Sequence, residues 1–128
     1  MLLGVDLGKK TTGLAISEST LATPYKTITH KTEKEALTKI IAQIDELNID
    51  TVILGFVEGK IKPFFVNFAK KLQVQKPKIK VILVDETLTS GQARQSMVKL
   101  GTTRQKRAQK EHEVAAALIL QIYLDANE

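Results

Sequence analysis

The sequence contains no cysteine, which excludes disulfides and every metal centre held by thiolates. Aromatic residues make up only 5%, leaving little scope for the stacking platforms that grip single-stranded nucleic acid. No apolar run approaches the ~20 residues that span a bilayer, and the N-terminus lacks the basic-then-apolar pattern of a secretory signal. Internal repeats, low-complexity tracts and linkers are also missing. With 128 residues, 43% of them hydrophobic and 26% charged, the expectation is one domain over 1–128, cytoplasmic and without a membrane partner.

Acidic residues are absent from one stretch in particular. Residues 99–110, KLGTTRQKRAQK, hold five Lys or Arg and no Asp or Glu, in a chain of formal net charge +5. A Gly- and Thr-containing connector with charge of one sign suits either a solvated loop or a contact to a phosphate backbone. Arg104, Lys106, Arg107 and Lys110 are the candidate contacts, acting as a flexible clamp.

Hydrophobic patterning supplies the rest of the framework. Residues 2–7 and 13–17 read as strands joined by a hairpin-length turn, GKKTT, and 25–29 as a third strand of a meander. Leu37, Ile40, Ile41, Ile44 and Leu47 recur at helical spacing, predicting an amphipathic helix over 35–47. TVILG at 51–55 is a short, continuously apolar strand of the kind found in parallel sheets. Pro63 opens a second helix, whose Phe64, Phe65 and Phe68 are assigned to the core. A strand over 79–84, a helix over 90–100 and a final helix over 111–124 complete the order β-β-β-α-β-α-β-α-α. That order predicts an α/β fold in which a mixed sheet of about five strands, a three-strand antiparallel meander plus parallel strands, carries helices on both faces.

Within this frame GVDLG poses a chemical question. Asp6 interrupts an apolar strand, and an unpaired buried carboxylate costs several kcal/mol or neutralises itself. A cap or turn role does not explain a carboxylate inside a strand. Asp85 and Glu86 end the strand over 79–84, at the carboxyl edge where open α/β sheets gather function. Adjacent residues there point apart, so one of the two faces the same site as Asp6. On the last helix His112, Ala115, Ala116, Ile119 and Tyr123 share one stripe, which aims His112 at the sheet. A histidine on an apolar face is commonly a hydrogen-bonded core residue. Asp, Glu and His together are also a ligand set for a divalent cation. An acidic pocket with a basic rim points to metal-assisted hydrolysis of phosphodiesters.

GVDLGKKTTGLAIS, TVILG, VDETLTS and HEVAAALILQIYLD, in this order and spacing, resemble the YqgF (RuvX) family. That family belongs to the ribonuclease H-like superfamily and is described both as Holliday junction resolvases and as nucleases that mature the 5′ end of pre-16S ribosomal RNA. The resemblance covers essentially the whole chain. It implies a ribonuclease H-like fold and a nuclease dependent on Mg²⁺ or Mn²⁺, with Asp6 and Glu86 as the acidic catalytic and metal-binding residues. His112 stands where the family carries an aspartate, and so falls at a metal-ligand position. The chain also departs from the family at Thr11 and Thr87, where arginines are usual, and in Gly55-Phe56-Val57, which lacks the family's proline. Two missing arginines imply an altered grip on substrate.

Lys9 and Lys10 in the first turn are candidate contacts to the scissile region. Thr89 and Ser90 either cap the following helix or donate to a phosphate. Scarce aromatics favour backbone and shape recognition of structured nucleic acid over single strands, and the resemblance favours structured precursor ribosomal RNA over a DNA junction. A resolvase acts as a two-fold homodimer, whereas a processing ribonuclease can be a monomer. GVDLG also resembles the phosphate loop of actin-like ATPases, but those need a second lobe that this length does not supply. The remaining rival is a binding module of the same fold without chemistry. Convergence of Asp6, Glu86 and His112 is what separates it from the nuclease.

Overall fold

The structure, a computed structural model, describes residues 1–86 and 104–127, with side chains in the second segment described from Lys110 onward. Its elements are β1 (Leu2–Leu7), β2 (Thr11–Ser17), β3 (Thr23–Thr29), α1 (Glu33–Leu47), β4 (Thr51–Phe56), α2 (Lys62–Gln75), β5 (Lys80–Asp85) and α3 (Arg104–Ala126). The strands form one five-stranded sheet in the order β3-β2-β1-β4-β5. β1, β2 and β3 pair antiparallel, and β4 and β5 join β1 in parallel. This is the expected mixed sheet.

Local chemistry explains the boundaries. The Thr32 hydroxyl accepts from the Glu35 backbone N–H and caps α1, and Asn48 closes that helix in the left-handed region at φ 55°. Both are standard helix-end devices. Pro63 sits in the first turn of α2, where its missing N–H costs nothing. β2 begins at Thr11 rather than at residue 13, because two β-branched threonines extend the strand and shorten the turn to residues 8–10. Between Leu14 and Ala15 the β2–β3 register shifts, and Tyr25 at this irregularity reaches Gln43 of α1 through its hydroxyl, 3.2 Å away.

One expectation is overturned. The basic stretch read as a connector up to residue 110 is helical from Arg104 onward, so α3 begins seven residues before the expected position 111. RQKRAQK contains no Gly, Pro or β-branched residue, and all its members are good helix formers or tolerated ones. Arg104, Lys106, Arg107 and Lys110 therefore ride on a helix and are not a flexible clamp. The helix expected over 90–100, like Thr87, Thr89 and Ser90, lies outside the described residues.

Two apolar layers enclose the sheet. Leu3, Val5, Leu7, Leu14, Val52 and Leu54 meet Leu37, Ile40 and Ile44 of α1 and Phe65, Phe68 and Leu72 of α2. Phe65 and Phe68 are buried as expected, and Phe64 is half-buried. On the opposite face Ala15 and Ile53 meet Ala116, Ala117, Ile119 and Leu120 of α3. Among the described residues no helix is long and apolar enough to cross a membrane.

Candidate active site

Strand alternation decides which side chains can meet. Leu3, Val5 and Leu7 enter the layer beneath α1 and α2, so Leu2, Gly4 and Asp6 face α3. The same rule turns Ile53 and Gly55 of β4, and Ile82 and Val84 of β5, toward α3. Carried past the end of β5, it brings Glu86 to that face and sends Asp85 outward. Glu86 is accordingly buried and Asp85 exposed. The Glu86 backbone N–H donates to the Phe56 carbonyl at 2.7 Å, anchoring it to the end of β4.

Asp6 is 6% exposed and Glu86 8%. The room for them comes from glycines. Asp6 is paired across β2 with Gly13, and on β4 the position after Leu54, the partner of Val5, is Gly55. A Cβ on Gly13 would overlap the His112 backbone carbonyl, and a Cβ on Gly55 would overlap Oε2 of Glu86. α3 thus closes over β2 while Glu86 crosses over β4, and both arrive beside Asp6. The His112 Nδ1–H donates to Asp6 Oδ2 at 2.9 Å. Thr27 of β3 donates through Oγ1 to Glu113 Oε2 at 3.0 Å, which ties the same end of α3 to the edge strand.

Electrostatics follow from this crowding. Burial first, then the charge of Asp6, a hydrogen bond to Asp6 and the charge of Asp85, push the Glu86 carboxyl up to about 9. His112 is raised above its usual value, mainly by its hydrogen bond to Asp6, which outweighs desolvation. Two adjacent buried carboxylates cannot both ionise cheaply without a cation. At neutral pH the metal-free centre therefore holds a protonated Glu86 and a His112 inclined to hold its second proton, both against Asp6. Among the described residues no three or more His, Cys, Asp or Glu side chains form a cage for a metal ion. Asp6 is the shared partner, with Glu86 and His112 reaching it from opposite sides.

A hard divalent cation fits the two carboxylates, since oxygen donors are what Mg²⁺ and Mn²⁺ prefer. Its positive charge would also offset the desolvation and the repulsion from Asp6 that keep Glu86 protonated. Lys9 and Lys10 are exposed in the turn following β1, close in sequence to Asp6, and Lys110 is exposed two residues before His112. Arg104, Lys106 and Arg107 occupy backbone positions in the first turns of α3. Gly13 and Gly55 went unrecognised as site residues in the sequence. Their signal was a glycine inside a strand, which marks close approach of another group.

A family model described as "RuvX: Holliday junction resolvase" matches residues 1–126. A Geobacillus kaustophilus protein named "Putative pre-16S rRNA nuclease" is 35% identical over 134 residues, covering 97% of this chain and 96% of that protein. A protein of the same name from Aster yellows witches'-broom phytoplasma is 38% identical over 138 residues, covering 96% of this chain and 87% of its own. Among solved structures, Thermus thermophilus RuvC in complex with a Holliday junction substrate superposes with a TM-score of 0.62 at 12% identity, covering 98% of this chain and 95% of that one. At that identity the likeness establishes the fold, which is ribonuclease H-like. With the family match running almost end to end and relatives above 30% identity over nearly the whole chain, this chain belongs to the RuvX family of nucleases.

Proposed function

We propose that this chain is a divalent-metal-dependent ribonuclease acting on structured precursor ribosomal RNA, with Asp6 and Glu86 as its metal-binding pair. The observation that carries this reading is the burial of both carboxylates side by side, where a cation turns an unfavourable contact into a binding site. A bound Mg²⁺ or Mn²⁺ would activate a water and stabilise the leaving oxygen of the scissile phosphodiester.

The chain's own residues do the positioning. Asp6 is fixed by the centre of the sheet, and Glu86 by its backbone bond to Phe56. His112 holds Asp6 through Nδ1 while its side chain remains 39% exposed, which leaves the rest of the ring open to a ligand or a substrate phosphate. Lys9, Lys10 and Lys110 hold the polyanion against repulsion from the carboxylates, and Arg104, Lys106 and Arg107, at backbone positions in the first turns of α3, are proposed as further substrate contacts. Thr89 and Ser90 follow Glu86 closely in sequence and complete the substrate contacts. The whole of 1–128 serves as one catalytic domain in the cytoplasm, where precursor ribosomal RNA is found.

The relatives' printed name favours precursor 16S RNA as the substrate. The family description supports a second reading, resolution of four-way DNA junctions by a homodimer. One experiment separates them: cleavage of a precursor ribosomal RNA fragment and of a four-way DNA junction with Mg²⁺ or Mn²⁺, by wild type, Asp6→Asn, Glu86→Gln and His112→Ala. Metal-dependent RNA cleavage lost in the carboxylate variants supports the proposal. Junction cleavage alone supports the resolvase. Salt-sensitive binding without cleavage of either would leave a binding module.

A further inference from the structure

We infer that Gly55 is a positioning residue of the centre: its missing side chain is the slot that seats the Glu86 carboxylate beside Asp6. This rests on the proposal that Asp6 and Glu86 act as a pair, but it arises from a different observation. Glycine inside a strand is unfavourable, because it weakens the strand and packs nothing. Gly55 nevertheless occupies the penultimate position of β4, one of the sheet's inner strands.

What surrounds it explains why. A Cβ at Gly55 would overlap Oε2 of Glu86, and would lie 2.5 Å from Cδ1 of Ile119 and 3.0 Å from Cδ of Glu86. All three are far ends of side chains. At Gly4 and Gly13, in contrast, the added atom would meet the backbone carbonyls of Ala116 and His112. Those two glycines set the approach of α3, whereas Gly55 sets the place of side chains. Glu86 has one route to Asp6: its backbone is pinned to Phe56, so its side chain must cross β4 over residue 55. An alanine there preserves the strand and lifts the carboxylate from its seat.

The test uses the full chain, first without metal. Gly55→Ala should melt cooperatively and near wild type, while the ¹³C carboxyl resonance of Glu86 moves toward that of a solvent-exposed glutamate. Its Mn²⁺ affinity, measured by calorimetry, should fall roughly 10-fold, the usual scale for disturbing a ligand's support. Adding Glu86→Asp, which shortens the displaced side chain by one methylene, should recover part of that loss. Adding Ile119→Val, which removes Cδ1 instead, should not. An unmoved Glu86 resonance in Gly55→Ala overturns the inference. So does recovery of Mn²⁺ binding, or of folding itself, through Ile119→Val alone, since the glycine would then serve core packing. A wild type that binds no Mn²⁺, with the Glu86 resonance still moving in Gly55→Ala, retires the metal reading and leaves the positioning role standing.

Discussion

Asp6 and His112 are separated by 106 positions in the chain, yet the imidazole Nδ1 of one lies 2.9 Å from the carboxylate Oδ2 of the other. Glycine at position 13 is what admits the helix backbone to this distance. The bond has two consequences: it orients Asp6, and it raises the proton affinity of His112. The chain's other histidine shows the reverse. His30 is buried with Nε2 against the Thr12 hydroxyl at 2.8 Å, and desolvation lowers its pKa.

The two imidazoles should therefore titrate on opposite sides of 6.5, His112 above and His30 below. Histidine ring resonances followed by NMR check this directly. Asp6→Asn should bring the His112 midpoint down and leave His30 unmoved. A His112 midpoint indifferent to Asp6→Asn would mean that the contact does not form.

Glu86 predicts how stability depends on pH in chelator. The folded carboxyl keeps its proton up to about 9, whereas its unaltered value is 4.5. Between those values the folded state binds more protons than the unfolded one, so stability falls as pH rises. His112, also raised, adds a loss of the same sign as pH passes its folded value. Melting temperature in EDTA should decline from pH 5 to 9, and Glu86→Gln should remove much of that slope. Saturating Mg²⁺ should flatten it in wild type.

His112→Asp would set a third carboxylate beside Asp6 and Glu86. Without metal that crowding destabilises the fold, because like charges are forced together in a poorly solvated place. Melting in EDTA should fall below wild type, and the gain on adding Mn²⁺ should exceed wild type's. His112→Ala should instead reduce cleavage by roughly 10- to 100-fold, as loss of a ligand-orienting partner typically does. Parallel melts and turnover assays separate the two effects.

Thr12→Val offers a control away from the chemistry. It leaves the buried His30 Nε2 without its hydroxyl, which should cost about 1–3 kcal/mol by chemical denaturation. Cleavage by the folded fraction should be unchanged.

Lys9→Ala with Lys10→Ala should weaken nucleic-acid binding and lower the salt slope by about one per lysine. Mn²⁺ affinity should stay at the wild-type value, since neither side chain is proposed to touch the metal. Binding isotherms across a salt series provide the check.

Much of this architecture was legible in the chain. Period-2 and period-3.6 patterns identify the strands and helices, and an apolar strand followed by DE locates a carboxylate at the sheet's edge. Local propensity marked the boundaries less well. The Thr11-Thr12 extension of β2 depends on residues whose strand preference is set by their cross-strand neighbours, whereas the start of α3 at Arg104 follows helix propensity in a stretch that its Gly, Thr and one-signed charge had marked as a connector.

The sequence by itself determined that Asp6 is an anomaly in need of a partner, because alternation and burial are local properties that residue order sets. Only the tertiary structure decided who the partners are. Glu86 and His112 arrive from the end of β5 and the N-terminal half of α3, across β4 and β2 respectively, and each passes over a glycine that signals a close approach without saying what approaches. The physical reason is excluded volume. A space left empty by a missing Cβ acquires meaning only when another element, distant in the chain, is folded into it.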